Sequence, residues 1–499
     1  MADTQREIER KYVTDRGPLP DLTGVAGVAA VRDEGVEHLD ATYYDTADQR
    51  LAAARLTLRR RTGGRDAGWH LKLPVAPGVR EEIHAPLSDE PPPALTALVR
   101  SRARELPLAP VVRLRTERDL RHLVDAEGAL LAEASVDTVH AERLTGDGGT
   151  ARWTEIEVEL APGGDPAFLD TVEERLREAG VRPADSPSKL ARALADTGAE
   201  VPRAPAAGPP GTAGDHVLAY VREQVDALVD LDPGVRRDAE DAVHRMRVAT
   251  RRLRSVFRSY GKVLDRRATE PLRAELKWLA GELGVDRDRE VLTERLTGAF
   301  DGLPARLRTG PVRGRLHAWS DARHAGARER LLDALDSDRY LALLASLDAL
   351  AADPPLRPAA ARKPEKVLAK AVRKDTRKVA DRVGHALGLS PGPELDVALH
   401  EARKKAKRAR YAAEAAVPAL GERAARVAGN TKRLTKLLGE HQDAVMAREA
   451  LLDIADAAQA AGESSFTWGL LYGREERGAS AVEAQLPRRW AKIGPGTAL

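Results

Sequence analysis

Glu7, Glu9 and Lys11 stand at alternate positions in the run Glu7-Ile8-Glu9-Arg10-Lys11. On a β-strand, residues i, i+2 and i+4 point to one face, so this run aims two carboxylates and one ammonium into the same space. Glu155, Glu157 and Glu159 repeat the pattern in Thr-Glu-Ile-Glu-Val-Glu-Leu. Between these two runs, Arg59 and Arg61, His70 and Lys72, Arg80 and Glu82, and Arg113 and Arg115 are each two residues apart. Arg118 falls on the face opposite Arg113 and Arg115 unless a bulge intervenes. Buried charge of one sign is costly, so such a lining makes sense when opposite charge fills it. Arginine offers paired donors to phosphate oxygens, and lysine a point charge. Carboxylates hold hard divalent cations, which bridge phosphates or activate water. Triphosphate with Mg²⁺ or Mn²⁺ fits both halves of the lining. On any single strand, alternating charge is more often the solvent face of a half-exposed sheet. Two acidic and several basic strands in one stretch of chain weigh against that reading.

Strand-like alternation recurs near 5–12, 37–44, 54–62, 67–73, 80–84, 111–122, 130–137 and 152–160. Helical segments are predicted near 94–104, 166–179 and 188–195, and Gly63-Gly64 reads as a hairpin turn. Eight mostly antiparallel strands with polar inner positions predict a closed barrel lined with charge. The stretch at 201–211 is rich in Pro and Gly and reads as a linker. Beyond it the texture becomes long, Ala/Leu/Arg-rich and helical in period.

At 499 residues the chain is long enough for two or three cores. Its net charge of +3 says little, because local basic runs matter more. It has no cysteine, which excludes disulfides and thiolate ligands. The N-terminus lacks an apolar signal-peptide core, and no stretch approaches a membrane span. The expectation is a cytoplasmic protein with no membrane partner.

Glu7–Lys11, Tyr43-Tyr44-Asp45-Thr46, Leu58-Arg59-Arg60-Arg61, Leu71-Lys72-Leu73-Pro74, Glu155–Leu160 and Ser188–Leu194 together resemble the CYTH domain, the triphosphate tunnel metalloenzymes. The resemblance spans residues 1–198. It implies an eight-stranded antiparallel tunnel that binds triphosphate compounds with divalent metal. Glu7, Glu9, Glu82, Asp137, Glu157 and Glu159 would then belong to the metal side, with Glu155 a further candidate. Lys11, Arg59, Arg61, Lys72 and Lys189 would grip phosphate. The basic position on the strand at 111–122 falls on Arg118, with Arg115 as the alternative. Glu7, Glu9, Lys11, Glu157 and Glu159 form the expected catalytic set.

The second half contains a repeat. His244, Arg247, Arg251 and Arg254 match His400, Arg403, Lys407 and Arg410 in spacing, about 155 residues apart. Leu283-Gly284 with Arg287-Asp288 matches Leu438-Gly439 with Gln442-Asp443 at the same offset. Positions i, i+3, i+7 and i+10 of a helix fall within about 80° of arc, so each set forms a narrow cationic stripe. Met246, Ala249, Leu253 and Val256 lie opposite and should face a core. A further basic run spans Lys363–Lys378 and reads best as a solvated face. Such stripes suit an extended polyanion. The duplicated elements resemble the CHAD domain over 214–490, with pseudo-repeats at about 214–345 and 360–490 joined to the first domain by a linker at 199–213. That resemblance implies two four-helix bundles around a basic groove that binds inorganic polyphosphate. Lys277 and Lys432 would join the groove, and Asp288 and Asp443 would order its basic side chains.

The fold class expected is therefore α+β multidomain, an N-terminal eight-stranded antiparallel tunnel barrel followed by duplicated all-α four-helix bundles. The function expected is metal-dependent hydrolysis of inorganic triphosphate or short polyphosphate, with a helical polyphosphate-binding module. The alternative is a non-catalytic polyphosphate-binding or targeting protein, associated with polyphosphate granules; adenylate cyclase or another organic triphosphatase ranks last. Aromatic content of 4% gives the basic stripes little to stack on bases, which disfavours nucleic acid.

Overall fold

The computed structural model describes residues 3–14, 18–199, 201–202, 210–324 and 326–494, with side chains left aside at 285–290 and 322–324. Most of the stretch read as a linker, 203–209, lies outside the described residues, as does the side chain of Asp288. The chain divides into two compact units, Met1–Ala206 and Ala207–Leu499.

In the first unit the strands are β1 (Asp3–Val13), β2 (Ala30–Asp45), β3 (Thr57–Thr62), β4 (Gly68–Ala76), β5 (Val79–Ala85), β6 (Ala109–Val124), β7 (Leu130–Arg143) and β8 (Thr150–Leu160). They pair antiparallel in the order β5-β4-β3-β2-β6-β7-β8-β1, and β1 also pairs with β5, which closes the barrel. Four helices accompany it: α1 (Arg50–Ala53), α2 (Pro93–Ala103), α3 (Ala167–Glu178) and α4 (Lys189–Asp196). The alternation in the sequence is inverted relative to an ordinary sheet, with charge inside and apolar residues outside. The outward set Leu58, Trp69, Leu71, Leu73 and Ile83 packs under Leu95, Leu98 and Val99 of α2. Outward Tyr12, Ala132, Ala134, Ile156 and Val158 pack under Leu169, Val172 and Leu176 of α3. The two helices thus take the place of solvent on the barrel's apolar outer faces.

One stretch of the interior is apolar. There Tyr43, Val112, Leu114, Val139 and Trp153 meet Leu190, Ala193 and Leu194 of α4. Ser188 caps α4 by accepting from the Ala191 amide at 3.1 Å. This cap starts the helix one residue before Lys189, and the apolar stripe seats it. β2 begins earlier than its alternation predicts, because a bulge between Asp33 and Gly35, with Gly35 at φ 88°, shifts the register. At the β3–β4 turn, Gly63 has φ 79°, and a Cβ there would stand 2.1 Å from the His38 carbonyl oxygen.

The second unit is helical: α5 (Ala213–Arg236), α6 (Ala242–Ser259), α7 (Arg266–Glu282), α8 (Gly284–Asp301), α9 (Val312–His324), α10 (Ala327–Asp336), α11 (Asp338–Ala352), α12 (Pro364–Leu387), α13 (Pro393–Leu420), α14 (Glu422–Ala460) and α15 (Phe466–Ile493). The repeat is visible in their order. α6 and α13 carry the cationic stripes, and α14 runs unbroken where the first copy divides into α7 and α8 at Leu283. Met246, Ala249, Leu253 and Val256 are buried in a core that also takes in Ala412, Ala416 and Val427 from the second copy. Among the described residues no helix is long and apolar enough to cross a membrane.

Candidate active site and basic groove

The barrel encloses a cavity of about 290 Å³ lined by alternate residues of its strands. Glu7, Glu9 and Lys11 of β1 face it, with Arg59 and Arg61 of β3, Lys72 of β4, Arg80 and Glu82 of β5, Arg118 of β6, and Glu157 and Glu159 of β8. Lys189 reaches in from the first residue of α4. Pairing places Glu9 opposite Glu159 and Lys11 opposite Glu157.

The lining divides into two electrostatic districts. In one, Arg118 makes a two-bond clamp on Asp137 at 2.8 and 2.6 Å and reaches Glu157 at 2.8 Å. Lys189 Nζ lies 2.9 Å from Asp137, 2.9 Å from Glu155 and 2.5 Å from Glu157. Lys11 also pairs with Glu157. Burial alone would push the Asp137 carboxyl up, but Lys189 and Arg118 outweigh it and hold it below the usual carboxylate range. These groups satisfy one another.

The other district is unbalanced. Lys72 Nζ takes Glu7 at 2.6 Å, yet burial and the neighbouring Glu82 push Glu7 up to about 8. Burial, with the nearby Glu9 and Glu82 charges, also raises Glu159, and no hydrogen bond or ion pair engages it among the described residues. Glu9 is held by Lys11 at 3.1 Å and faces Arg80 at 4.0 Å. Opposite these carboxylates, the buried Nε donors of Arg59 and Arg61 have no acceptor. Burial and the adjacent Arg59 and Arg118 charges push Arg61 down to about 9. Two carboxyls pushed up by burial, Glu7 and Glu159, and two arginines whose Nε donors are idle therefore line one cavity; the other guanidinium nitrogens pair, Arg61 with Asp66 and Arg59 with Glu82 at 3.6 Å. Glu7, Glu9 and Glu159 offer the all-oxygen donor set that Mg²⁺ or Mn²⁺ prefers.

Four expected metal ligands are placed differently from Glu7, Glu9 and Glu159. Asp137 corrects the expectation most clearly: it is fully enclosed behind the lining, and Arg118 and Lys189 occupy its oxygens. Glu155 is also behind the lining, accepting from Trp153 Nε1 at 2.6 Å. Glu157 faces the cavity but already serves Lys11, Lys189 and Arg118. Glu82 lines the cavity among cations, 2.9 Å from His70 Nδ1, 3.6 Å from Arg59 and 3.7 Å from Lys72. Arg115 is a further correction. It lies on the outer face, more than half exposed, 3.9 Å from Asp40, because β6 keeps its alternation and turns Arg118 inward instead. His70 gains a role that spacing alone did not assign: its two nitrogens stand 2.9 Å from Glu82 and from the Asp66 carbonyl, and because burial lowers it to about 4 it donates to one of the two.

In the helical unit the two stripes face each other. Burial first, then Arg403, Arg251 and Arg247, push the Lys407 ammonium down to about 7, which requires α6 and α13 cations close together. The recurring Leu-Gly has a steric reason. A Cβ on Gly284 would stand 3.2 Å from the Arg247 guanidinium, and one on Gly439 3.1 Å from that of Arg403. At each glycine a side chain would crowd the arginine by a few tenths of an ångström. Arg403 also faces Asp443 at 3.8 Å, and His400 Nδ1 meets Gln442 Oε1. His244 lies exposed near the start of α6. Arg254 is depressed by burial and by Arg273, Arg251 and Arg258. Arg410 is tied to Glu414 at 2.6 Å, and Lys277 and Lys432 are exposed on α7 and α14.

Spacing did not single out a second basic cluster, a cavity of about 400 Å³ lined by Arg258, Arg273, Lys374, Lys378 and Arg408 around buried Asp375. Arg408 pairs with Asp375 at 2.8 Å. Arg258, one turn beyond Arg254, was the available signal.

Comparison with known proteins agrees with this division. The CYTH domain model matches residues 5–194, and the CHAD domain model matches 219–452. Two Mycobacterium tuberculosis proteins, the uncharacterized proteins MT2285 and Rv2226, are each 39% identical over 504 residues, covering 98% of this chain and 96% of each relative. Among solved structures, PptA from Streptomyces chartreusis is 23% identical with a TM-score of 0.47, covering 56% of this chain and 99% of its own. The CHAD domain from the plant Ricinus communis is 20% identical with a TM-score of 0.45, covering 58% and 94%.

Proposed function

Because this chain belongs to the proteins that join a CYTH domain to a CHAD domain, we propose that its tunnel hydrolyses inorganic triphosphate or short polyphosphate and its helical unit binds polyphosphate. CYTH domains are tunnel metalloenzymes with triphosphatase or cyclase activity. The observation that carries the finer reading is the unbalanced district, where Glu7 and Glu159 are pushed up by burial and the buried Nε donors of Arg59 and Arg61 have no acceptor, all in one cavity.

Glu7, Glu9 and Glu159 would hold Mg²⁺ or Mn²⁺, which when bound polarises phosphoryl oxygens and acidifies coordinated water. Arg59, Arg61, Lys72 and Arg118 meet the phosphate charges. They are fixed before substrate arrives, so little reorganisation accompanies charge build-up on the transferring and leaving groups. Lys11 and Lys189 share the charge of Glu157 and Asp137, and the clamp on Asp137 holds Arg118 in place in the cavity wall. A narrow tunnel orients a linear phosphate chain along its axis, a requirement for in-line displacement.

The proton on Glu7 gives a test. Its carboxyl sits at about 8, above its ordinary range, so in metal-free protein the stability it contributes is present at low pH and lost as pH rises toward 8. A bound cation reverses that balance. Mn²⁺ binding near neutral pH should therefore release close to one proton, and affinity should climb until about pH 8. Calorimetry in buffers of different ionisation heat measures this. Proton-neutral binding with a flat pH profile would remove Glu7 from the metal set.

In the helical unit, Arg247 and Arg403 are the cations that the two glycines make room for. The Arg247→Ala/Arg403→Ala variant should bind long-chain polyphosphate more weakly. By analogy with counterion release from nucleic acid, its log–log salt slope should fall by roughly 1.5. Wild-type affinity and slope in this variant would place the polyphosphate site elsewhere.

A further inference from the structure

His441 of α14 presents one nitrogen to two carboxylates. Its Nε2 lies 3.3 Å from Asp396 Oδ1 on α13 and 3.0 Å from Glu483 Oε1 on α15. These ligand atoms all lie within 4.8 Å of one another, and the imidazole is 1% exposed. One nitrogen carries at most one proton, so it gives a full hydrogen bond to only one of the two oxygens. A cation bonded at about 2.0–2.2 Å to a histidine nitrogen and carboxylate oxygens sets those atoms about 3.0–3.6 Å apart. The nitrogen–oxygen separations here already fall in that range. Arg448 takes the other Asp396 oxygen at 3.0 Å, which orients the carboxylate and leaves Oδ1 toward His441.

We propose that Asp396, His441 and Glu483 bind a zinc-class divalent cation that ties α13, α14 and α15 together. One imidazole with two carboxylates suits a borderline transition metal, whereas the tunnel's all-carboxylate set suits hard Mg²⁺ or Mn²⁺. The ion sits beside the basic groove. His441 is followed by Gln442 and Asp443, which face His400 and Arg403. Fixing His441 fixes the turn of α14 that orients the second cationic stripe. The first copy has Asp286 and Arg287 where the second has His441 and Gln442, so the site belongs to one repeat only.

The test uses tag-free, full-length Glu9→Gln protein, in which the tunnel's own metal set is already impaired. Titration with Co²⁺ should give a visible absorption band that saturates at one equivalent per chain and is displaced by Zn²⁺. His441→Asn and Glu483→Gln, each added to that background, should abolish the band. Loss of a direct ligand should weaken Zn²⁺ binding beyond the roughly 10–100-fold that removal of an outer partner costs. Glu483→Gln keeps the side-chain volume, so it remains informative if His441→Asn fails to fold. An absent band in the parent, or a band of equal strength in the folded variants, would overturn the proposal and leave a buried ion cluster.

Discussion

Glu9→Gln should lower metal-dependent phosphate release from triphosphate by about 10³-fold or more while leaving the barrel folded. Glu9 stands opposite Glu159 across the β1–β8 ladder, with Glu7 two residues away on the same face. Removing one of three charges from the cation's donor set, at a largely buried position, forfeits about 4 kcal/mol of transition-state stabilisation, which is about 10³ in rate. The fold tolerates the change because the amide keeps volume and hydrogen-bonding capacity. Lys11 still has Glu157, and Arg80 still has the Pro187 carbonyl at 2.6 Å. Steady-state kinetics with circular dichroism on the same preparation checks both halves. Undiminished turnover would contradict the assigned metal set.

Lys189→Met should cost about 3–5 kcal/mol of barrel stability. Lys189 Nζ lies within 2.9 Å of Asp137, Glu155 and Glu157, and its side chain is 9% exposed. Arg118 would still serve Asp137 and Glu157, and Lys11 would still serve Glu157, but buried Glu155 would keep only Arg192, 4.0 Å away. The sign with pH follows. Asp137 is held below its ordinary range in the wild type, so it contributes stability at neutral pH that is lost as pH falls through its folded value. In Lys189→Met that contribution shrinks, and the gap between variant and wild type should narrow in acid. Denaturant unfolding of the full chain at neutral and acid pH measures it. A loss below about 1 kcal/mol would mean that the ammonium is replaceable by water.

The barrel was legible because its alternation is strict. Thr57, Arg59 and Arg61 face in while Leu58 faces α2, and the same holds for His70 and Lys72 against Trp69 and Leu71. What alternation cannot separate is a residue in the cavity from one on the same face behind a neighbour. Asp137 and Glu155 share the inner face with Glu157 and Glu159, but α4 brings Lys189 over them and removes them from the cavity. That arrangement depends on how a helix 30 residues further along docks, which no local pattern encodes. Arg115 against Arg118 was a parity question, and β6 answers it by running through this region without a bulge. Strand β2 was foreshortened in the reading because the bulge at Gly35 interrupts its period. In the helical unit the stripes followed from spacing alone. The Gly284 and Gly439 contacts and the Asp375 cluster did not, because their partners come from different helices.

The measurement that bears most directly on the central claim is phosphate release by the purified protein, with Mg²⁺ or Mn²⁺, from inorganic triphosphate, ATP and long-chain polyphosphate side by side. The account predicts fast, metal-dependent release from triphosphate, slower release from ATP, and loss of both in Glu9→Gln. No release from any of the three, together with tight salt-sensitive polyphosphate binding, would contradict it and assign the protein's function to the helical unit.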